Sequence, residues 1–269
     1  MRSYKRVLTI AGSDSGGGAG IQADLKTFSA IGCFGMSAIT ALTAQNTVTV
    51  TGIHPVPPAF IAQQIDAVLT DIGSDAVKIG MLHSPEVIAA VADALRRHQA
   101  ANIVLDPVMV AKSGDKLLQD DAVQTLRATL IPMADVITPN LPEAGVLLGR
   151  EITTEKQMED ACRDLAALGC RAVLLKGGHL AGTTSPDLLF VNGTRDSIRL
   201  DADRVQTPNS HGTGCTLSSA IAAYLARGNN MIEAVKQAKR YIFKALTAGA
   251  RYSLGKGHGP VHHFHDIWK

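Results

Sequence analysis

The segment Thr207-Pro208-Asn209-Ser210-His211-Gly212-Thr213-Gly214-Cys215-Thr216 gathers an imidazole, a hydroxyl, a thiol and two glycines within a few positions. Leu217, Ile221, Tyr224 and Leu225 follow at helical spacing, so the turn opens a helix. A glycine turn at a helix start points unpaired backbone N–H groups at one spot, and the helix dipole adds partial positive charge there. Anions bind at such a place, including the charge that develops on phosphoryl oxygens during transfer. Cys215 falls in the first turn, where a thiol gives up its proton more readily. The same pattern also serves a tight packing turn with an inert cysteine; polar Thr213 and flanking His211 favour the functional reading.

A second glycine-rich turn, Gly12-Ser13-Asp14-Ser15-Gly16-Gly17-Gly18-Ala19-Gly20, lies between a strand-like run and a helical one. It is not a dinucleotide fingerprint, because the spacing from Gly16 and Gly18 puts Ile21 where a third glycine belongs. It is not a P-loop either, since no Gly-Lys-Ser/Thr follows. A loop at the C-terminal edge of a parallel strand is nonetheless where α/β folds bind small ligands, and Asp24, one turn into the helix, is placed to face that crevice. Asp106 follows Ile103-Val104-Leu105, and Glu143 follows Val136-Ile137-Thr138 through Pro139-Asn140-Leu141-Pro142. Both carboxylates leave strand C-termini, where hard oxygen ligands suit Mg²⁺ beside phosphate rather than zinc; the plainer alternative is that Asp106 caps a turn and Glu143 begins an exposed helix. Lys176 ends Val173-Leu174-Leu175 at another strand terminus. Lys239 sits on the apolar stripe of Val235, Ile242 and Leu246, so it either snorkels outward or meets an anion, nucleotide phosphate or a structural carboxylate. His262-His263-Phe264-His265 reads as terminal packing, since neighbours in an extended tail point opposite ways and no cysteine joins them.

The elements that must carry these residues alternate along the chain. Val7-Leu8-Thr9-Ile10, Ala76-Val77-Lys78-Ile79, Ile103-Val104-Leu105, Val136-Ile137-Thr138 and Ala172-Val173-Leu174-Leu175 are short apolar runs of the buried parallel kind. Helical patterns separate them: Ile21, Leu25, Phe28; Ile61, Ile65, Val68, Ile72; Val87, Val91, Leu95; and Met158, Cys162, Leu165 after a capping box at Thr154 and Gln157. The alternation predicts an α/β fold, a mostly parallel sheet with helices on both faces. Leu188 to Val191, Asn192-Gly193 and Ile198 to Leu200 predict a hairpin on its antiparallel edge. With no linker or repeat in 269 residues, a single domain over 1–269 is expected.

Composition narrows the partners. A net charge of +2 and 4% aromatics give no nucleic-acid footprint. The basic start, Met1 to Arg6, leads into an apolar run that breaks at Gly12, too short for a secretory segment, and no apolar stretch is long enough to span a membrane. Cys33, Cys162, Cys170 and Cys215 form no CxxC pair, which fits a reducing cytoplasm.

Together these segments resemble the ribokinase-like superfamily and, more narrowly, the bifunctional hydroxymethylpyrimidine/phosphomethylpyrimidine kinases of thiamine biosynthesis. The matching stretches are Leu8 to Asp14, Gly17 to Lys26, Thr43 to Asn46, Lys78 to Leu82, Asp106 to Met109, Thr138 to Ala144 and His211 to Thr216, with the closing Gly257 to His265. The resemblance implies a three-layer sandwich, ATP- and Mg²⁺-dependent phosphorylation of a small pyrimidine and then of its monophosphate, and a homodimer. It also implies that Gly12, Asp24 and Gln45 hydrogen-bond the aminopyrimidine while Met81 and Val108 contact its ring. Asp106 and Glu143 would serve the metal, and Lys176 and Lys239 the nucleotide phosphates. Gly212, Thr213, Gly214 and Cys215 would form the anion hole, with the Cys215 sulfur in the general-base position that sugar kinases of the superfamily fill with aspartate. Relatives that phosphorylate pyridoxal carry a cysteine on the lid where this chain has Ala111, so a pyrimidine is the expected substrate and a pyridoxal or dual-substrate kinase the alternative. A catalytically silent ligand-binding protein on the same fold would be expected to lack Cys215, Asp106 or Glu143, and all are present.

Overall fold

The structure, a computed structural model, describes residues 3–109, 120–180 and 182–268. The expected lid around Ala111 to Gly114 lies outside the described residues, as do Met1 and Arg2 of the basic start. In chain order the elements begin β1 (Arg6–Ala11), α1 (Gly20–Ile31), β2 (Phe34–Ile39), β3 (Ala41–Gln45), β4 (Val50–Pro55), α2 (Pro58–Asp71), β5 (Ala76–Ile79) and α3 (Pro85–Arg97). They continue β6 (Ile103–Leu105), α4 (Asp120–Thr129), β7 (Val136–Ile137), α5 (Leu141–Leu148), α6 (Glu155–Ala166), β8 (Ala172–Lys176), β9 (Asp187–Val191), β10 (Ile198–Leu200), α7 (Thr213–Ala226) and α8 (Met231–Gly249).

Among the described residues eight strands form one sheet in the order β10-β9-β8-β7-β6-β5-β1-β2, while β3 and β4 pair separately as an antiparallel ribbon. Strands β2, β1, β5, β6, β7 and β8 run parallel, and β9 and β10 add the expected antiparallel edge. The central strands are apolar on both faces because both are covered. Leu8, Ile10, Val77, Ile79, Ile103, Leu105, Val173 and Leu175 pack with helices α2 to α6. Their alternates Val7, Ala76, Val104, Ala172 and Leu174 pack with α1, α7 and α8. Helix α7 is buried almost all round, from Thr216 to Ala223, since it lies between the sheet and its neighbours α1 and α8.

This strand order positions the site. From β1 the chain passes through α1 on one face to β2, then through α2 on the other face to β5 on the far side of β1. The loops after β1 and β5 therefore diverge and leave a crevice at the carboxyl ends of the strands, the usual ligand position in such sheets. The sequence patterns did not reveal β2 or the β3–β4 ribbon. Strand β2 is broken by Gly35 and Ser37, and the ribbon carries exposed residues on both strands, so neither shows a buried run.

Candidate active site

The crevice opens into a cleft of about 710 Å³. One wall is the first glycine turn with Thr43, Gln45 and Val50 of the ribbon; the floor carries Lys78, Met81, Asp106 and Val108. The far wall is the turn from Ser210 to Cys215, with Asn140, Glu143, Lys176, Gly178 and His179 beyond it. Of the residues singled out in the sequence, Gly12, Gln45, Met81, Val108, Asp106, Glu143, Lys176 and Gly212 to Cys215 all line this one cleft. A neighbouring hollow of about 640 Å³ beside α5 contains none of them.

The two glycine turns meet directly. Gly212 caps α7 with φ 78°, and a β-carbon there would lie 1.8 Å from the Gly18 carbonyl oxygen. Only glycine satisfies both the left-handed backbone and that approach. His211 fastens the contact through its side chain, with Nε2 2.8 Å from Asp14 Oδ2. Asp14 in turn accepts hydrogen bonds from the amides of Gly16, Gly18 and Ala19 at 2.8, 3.0 and 2.8 Å. Burial alone would raise the Asp14 carboxyl, but His211 and the backbone donors Ala19 and Gly16 hold it below its usual range. The ionised carboxylate makes Nε2 the protonated ring nitrogen facing it, so the Gln45 amide, 3.4 Å away, finds no lone pair there. The Thr43 hydroxyl donates to the Ser13 carbonyl at 2.9 Å and lies 3.3 Å from the side-chain oxygen of Gln45, whose amide N–H groups remain for a ligand.

The far side of the cleft is built on α5, α7 and the ends of β6 and β8. Asp106 Oδ1 accepts from the Thr138 hydroxyl at 2.9 Å and from Lys176 Nζ at 3.0 Å, and Ser218 Oγ lies 3.4 Å from Oδ2. Burial pushes the Asp106 carboxyl up, but the ammonium groups of Lys176 and Lys78 outweigh it and keep it ionised. Lys176, between two carboxylates, is held at about 12 against the opposing effect of burial. Glu143 lies 3.9 Å from Lys176 and closes a capping box at the start of α5, its Oε2 accepting from the Asn140 amide at 2.7 Å. Burial, with Asp106 nearby, raises Glu143 to about 7. Gly214 brings the anion turn alongside: a β-carbon there would stand 3.5 Å from both Asp106 Oδ2 and Lys176 Nζ. In the first turn of α7 the Thr213 amide donates to the Ser210 carbonyl at 3.4 Å, and the Gly214 and Cys215 amides have no intrahelical acceptors.

Among the described residues no group of three or more His, Cys, Asp or Glu forms a metal cage. Two hard carboxylates beside a phosphate-sized corner nonetheless fit Mg²⁺, which takes the rest of its shell from water and phosphate oxygens.

Three expectations are corrected by the geometry. Asp24 does not reach the cleft. It is fully buried under the floor, its oxygens bonded to Lys78 at 2.9 and 3.0 Å, Thr9 at 2.6 Å and Ser219 at 2.6 Å, so no acceptor is left for a pyrimidine. Lys239 does not line the cleft either. Its ammonium binds Asp187 at 2.5 Å and the Ser185 carbonyl at 3.0 Å, the structural carboxylate of the two options. Asp187 also accepts from the Gly177 amide, so Lys239 shores up the loop that follows Lys176. The Cys215 thiol is not activated: burial pushes it up to about 11, more than Lys78 and the Gly20 amide pull it down. The closing histidines do act in packing, with buried His263, depressed to about 3 by burial and therefore neutral, 3.0 Å from the Thr216 hydroxyl.

Sequence reasoning gave no role to Asp14 or Lys78. The signal for Lys78 was available, a charged residue inside a strand whose neighbours are all apolar. Asp14 had only its place in a glycine-rich turn.

Residues 14–262 match the family model of phosphomethylpyrimidine kinase. The chain is 54% identical to the hydroxymethylpyrimidine/phosphomethylpyrimidine kinase of Rhizobium meliloti, covering 97% of this chain and 98% of that one. A phosphomethylpyrimidine kinase structure from Clostridium difficile superposes with a TM-score of 0.79 at 46% identity, over 90% of this chain and 99% of that one. The ADP complex of Bacillus subtilis pyridoxal kinase superposes with a TM-score of 0.89 at 39% identity, over 97% and 98%.

The buried pair under the floor yields a prediction. Lys78→Met leaves the Asp24 charge buried and alone and should destabilise the fold by about 3–5 kcal/mol. Asp24→Asn combined with Lys78→Met should recover most of that loss in denaturant unfolding. Equal destabilisation in both variants would show that pairing is not what the site requires.

Proposed function

Because this chain belongs to the phosphomethylpyrimidine kinase family, we propose that it transfers the γ-phosphoryl group of ATP to hydroxymethylpyrimidine and then to the resulting monophosphate, for thiamine biosynthesis. The observation that carries the reading is the convergence of Gly212 to Cys215, Lys176, Asp106 and Glu143 on one corner of a cleft whose opposite wall is Gly12 and Gln45, over a floor of Met81 and Val108. The Gln45 amide and the Gly12 backbone bind the ring edge; Met81 and Val108 pack its face. The hydroxymethyl group then lies toward the anion turn, whose amides and Lys176 meet the charge spread over the transferring phosphoryl oxygens. Mg²⁺ held by Asp106 and Glu143 would neutralise the nucleotide phosphates. The single eight-stranded sheet supports one kinase domain over 1–269.

Cys215 stands where a base would receive the hydroxyl proton. With its thiol at about 11, only a small thiolate fraction is present near neutrality, so that fraction limits the rate. The wild-type kcat/KM should therefore climb through the alkaline range toward about 11, as the thiol deprotonates. Cys215→Ala should lose that limb and about 10²–10⁴-fold in kcat. A variant that keeps wild-type kcat for both steps would leave the transfer to the backbone amides alone.

The likeness to the Bacillus pyridoxal kinase gives a second reading, a pyridoxal or dual-substrate kinase. An ADP-release panel with hydroxymethylpyrimidine, its monophosphate and pyridoxal separates the two. Turnover of both pyrimidines, abolished by chelating Mg²⁺, is expected; release with pyridoxal alone would overturn the pyrimidine reading.

A cytoplasmic homodimer completes the proposal. Among the described residues no helix is long and apolar enough to cross a membrane, and the four cysteines are free thiols. Leu42 on the outer side of the ribbon and Phe60 at the start of α2 remain exposed, as a surface for a second copy would be. Light scattering should give a dimer for the wild type and a monomer for Leu42→Asp with Phe60→Asp; a monomeric wild type would remove the dimer.

A further inference from the structure

The segment from Gly257 to Pro260 takes no part in the steps above, yet it joins the two walls of the cleft. At one end the Gly257 and His258 amides donate to Oγ1 and the carbonyl of Thr47, at 3.2 and 2.9 Å, in the turn between β3 and β4. At the other end the Gly259 carbonyl accepts from the His211 amide at 3.0 Å, and Pro260 forms a parallel bridge with His211. Beyond it Val261 is buried and His263 is anchored on Thr216 of α7. Both junctions are closed to side chains. A β-carbon on Gly257 would lie 2.0 Å from the Thr47 carbonyl oxygen, and one on Gly259 would lie 2.1 Å from Asn209 Oδ1. Asn209 cannot swing away, because its amide is pinned to the carbonyls of Gly249 and Tyr252 at 2.8 and 2.6 Å.

A two-stranded ribbon is marginal alone and takes its position from what it is tied to. The ribbon carries Gln45 and Thr43, whereas the His211 turn carries the anion hole. We propose that Gly257 to Pro260 form a strap of positioning residues that fixes the distance between the pyrimidine-binding ribbon and the anion turn. The proposal rests on the kinase reading above. Neither Gly257 nor Gly259 lines the cleft, so each acts through the element it touches: Gly257 through the ribbon, Gly259 through Asn209 and His211.

The test is steady-state kinetics of Gly257→Ala and Gly259→Ala with hydroxymethylpyrimidine and Mg-ATP, normalised to the folded fraction measured by circular dichroism. Gly257→Ala should raise the pyrimidine KM by about tenfold, an ordinary coupling between sites, with kcat nearly unchanged. Gly259→Ala should lower kcat by about 10²-fold, as for a misplaced catalytic group, with KM nearly unchanged. Constants unchanged in both variants, or losses that vanish once the folded fraction is divided out, would overturn the strap. Thr47→Ala, which removes only the side-chain bond to Gly257, covers the case in which Gly257→Ala does not fold, and should raise KM in the same direction by less. If the unsubstituted chain fails to turn the pyrimidine over, the kinase reading fails. The strap is then judged by calorimetry, in which Gly257→Ala should weaken pyrimidine binding and Gly259→Ala should not.

Discussion

The cleft depends on the backbone contact between its two glycine turns. Gly212 and Gly18 approach more closely than any β-carbon allows, and the approach is locked by the Asp14 carboxylate, which gathers backbone amides on its own turn and the His211 ring on the other. Without that contact α7 would still pack in the core, since Thr216 to Ala223 are buried regardless. Its N-terminus, however, would no longer face the crevice at the ends of β1 and β5. The site is therefore held by a polar clamp laid over an apolar scaffold, and the two can be disturbed separately.

The floor follows a different rule. Asp24 and Lys78 are both fully buried, an arrangement that costs desolvation on each side and holds only because every oxygen of Asp24 is bonded. Thr9 from β1, Ser219 from α7 and Lys78 from β5 converge on one carboxylate of α1, so it ties two helices on one face of the sheet to two of its strands. Such a hub specifies how α1 and α7 seat on the strands, which apolar contact alone leaves free to slide.

Much of this was legible in the sequence, because buried parallel strands and amphipathic helices leave strong periodic patterns. The strand runs, the capping box at Thr154 and the Asn192-Gly193 hairpin all stand where the patterns put them. The gathering of Asp106, Glu143, Lys176 and the Gly212 turn was legible too, since strand C-termini of a parallel sheet share one edge. What could not be read was depth. Asp24 at one helical turn from the glycine loop points as well under the floor as into the cleft, and only the partner at Lys78 decides it. Lys239 on its apolar stripe had either to snorkel outward or to meet an anion, and the outcome depended on where β9 brought Asp187. For Cys215 the helix terminus argued one way and burial the other, and burial is a property of the packed chain.

Glu143 carries two duties at once. Its carboxyl group starts α5 by closing the capping box with Asn140, and it faces Lys176 in the cleft. An aspartate would keep the carboxyl but shorten the reach to the Asn140 amide; a glutamine would keep the reach but lose the ionisable group beside Lys176. Each substitution thus fails one of two independent trials. The position is therefore closed to gradual change.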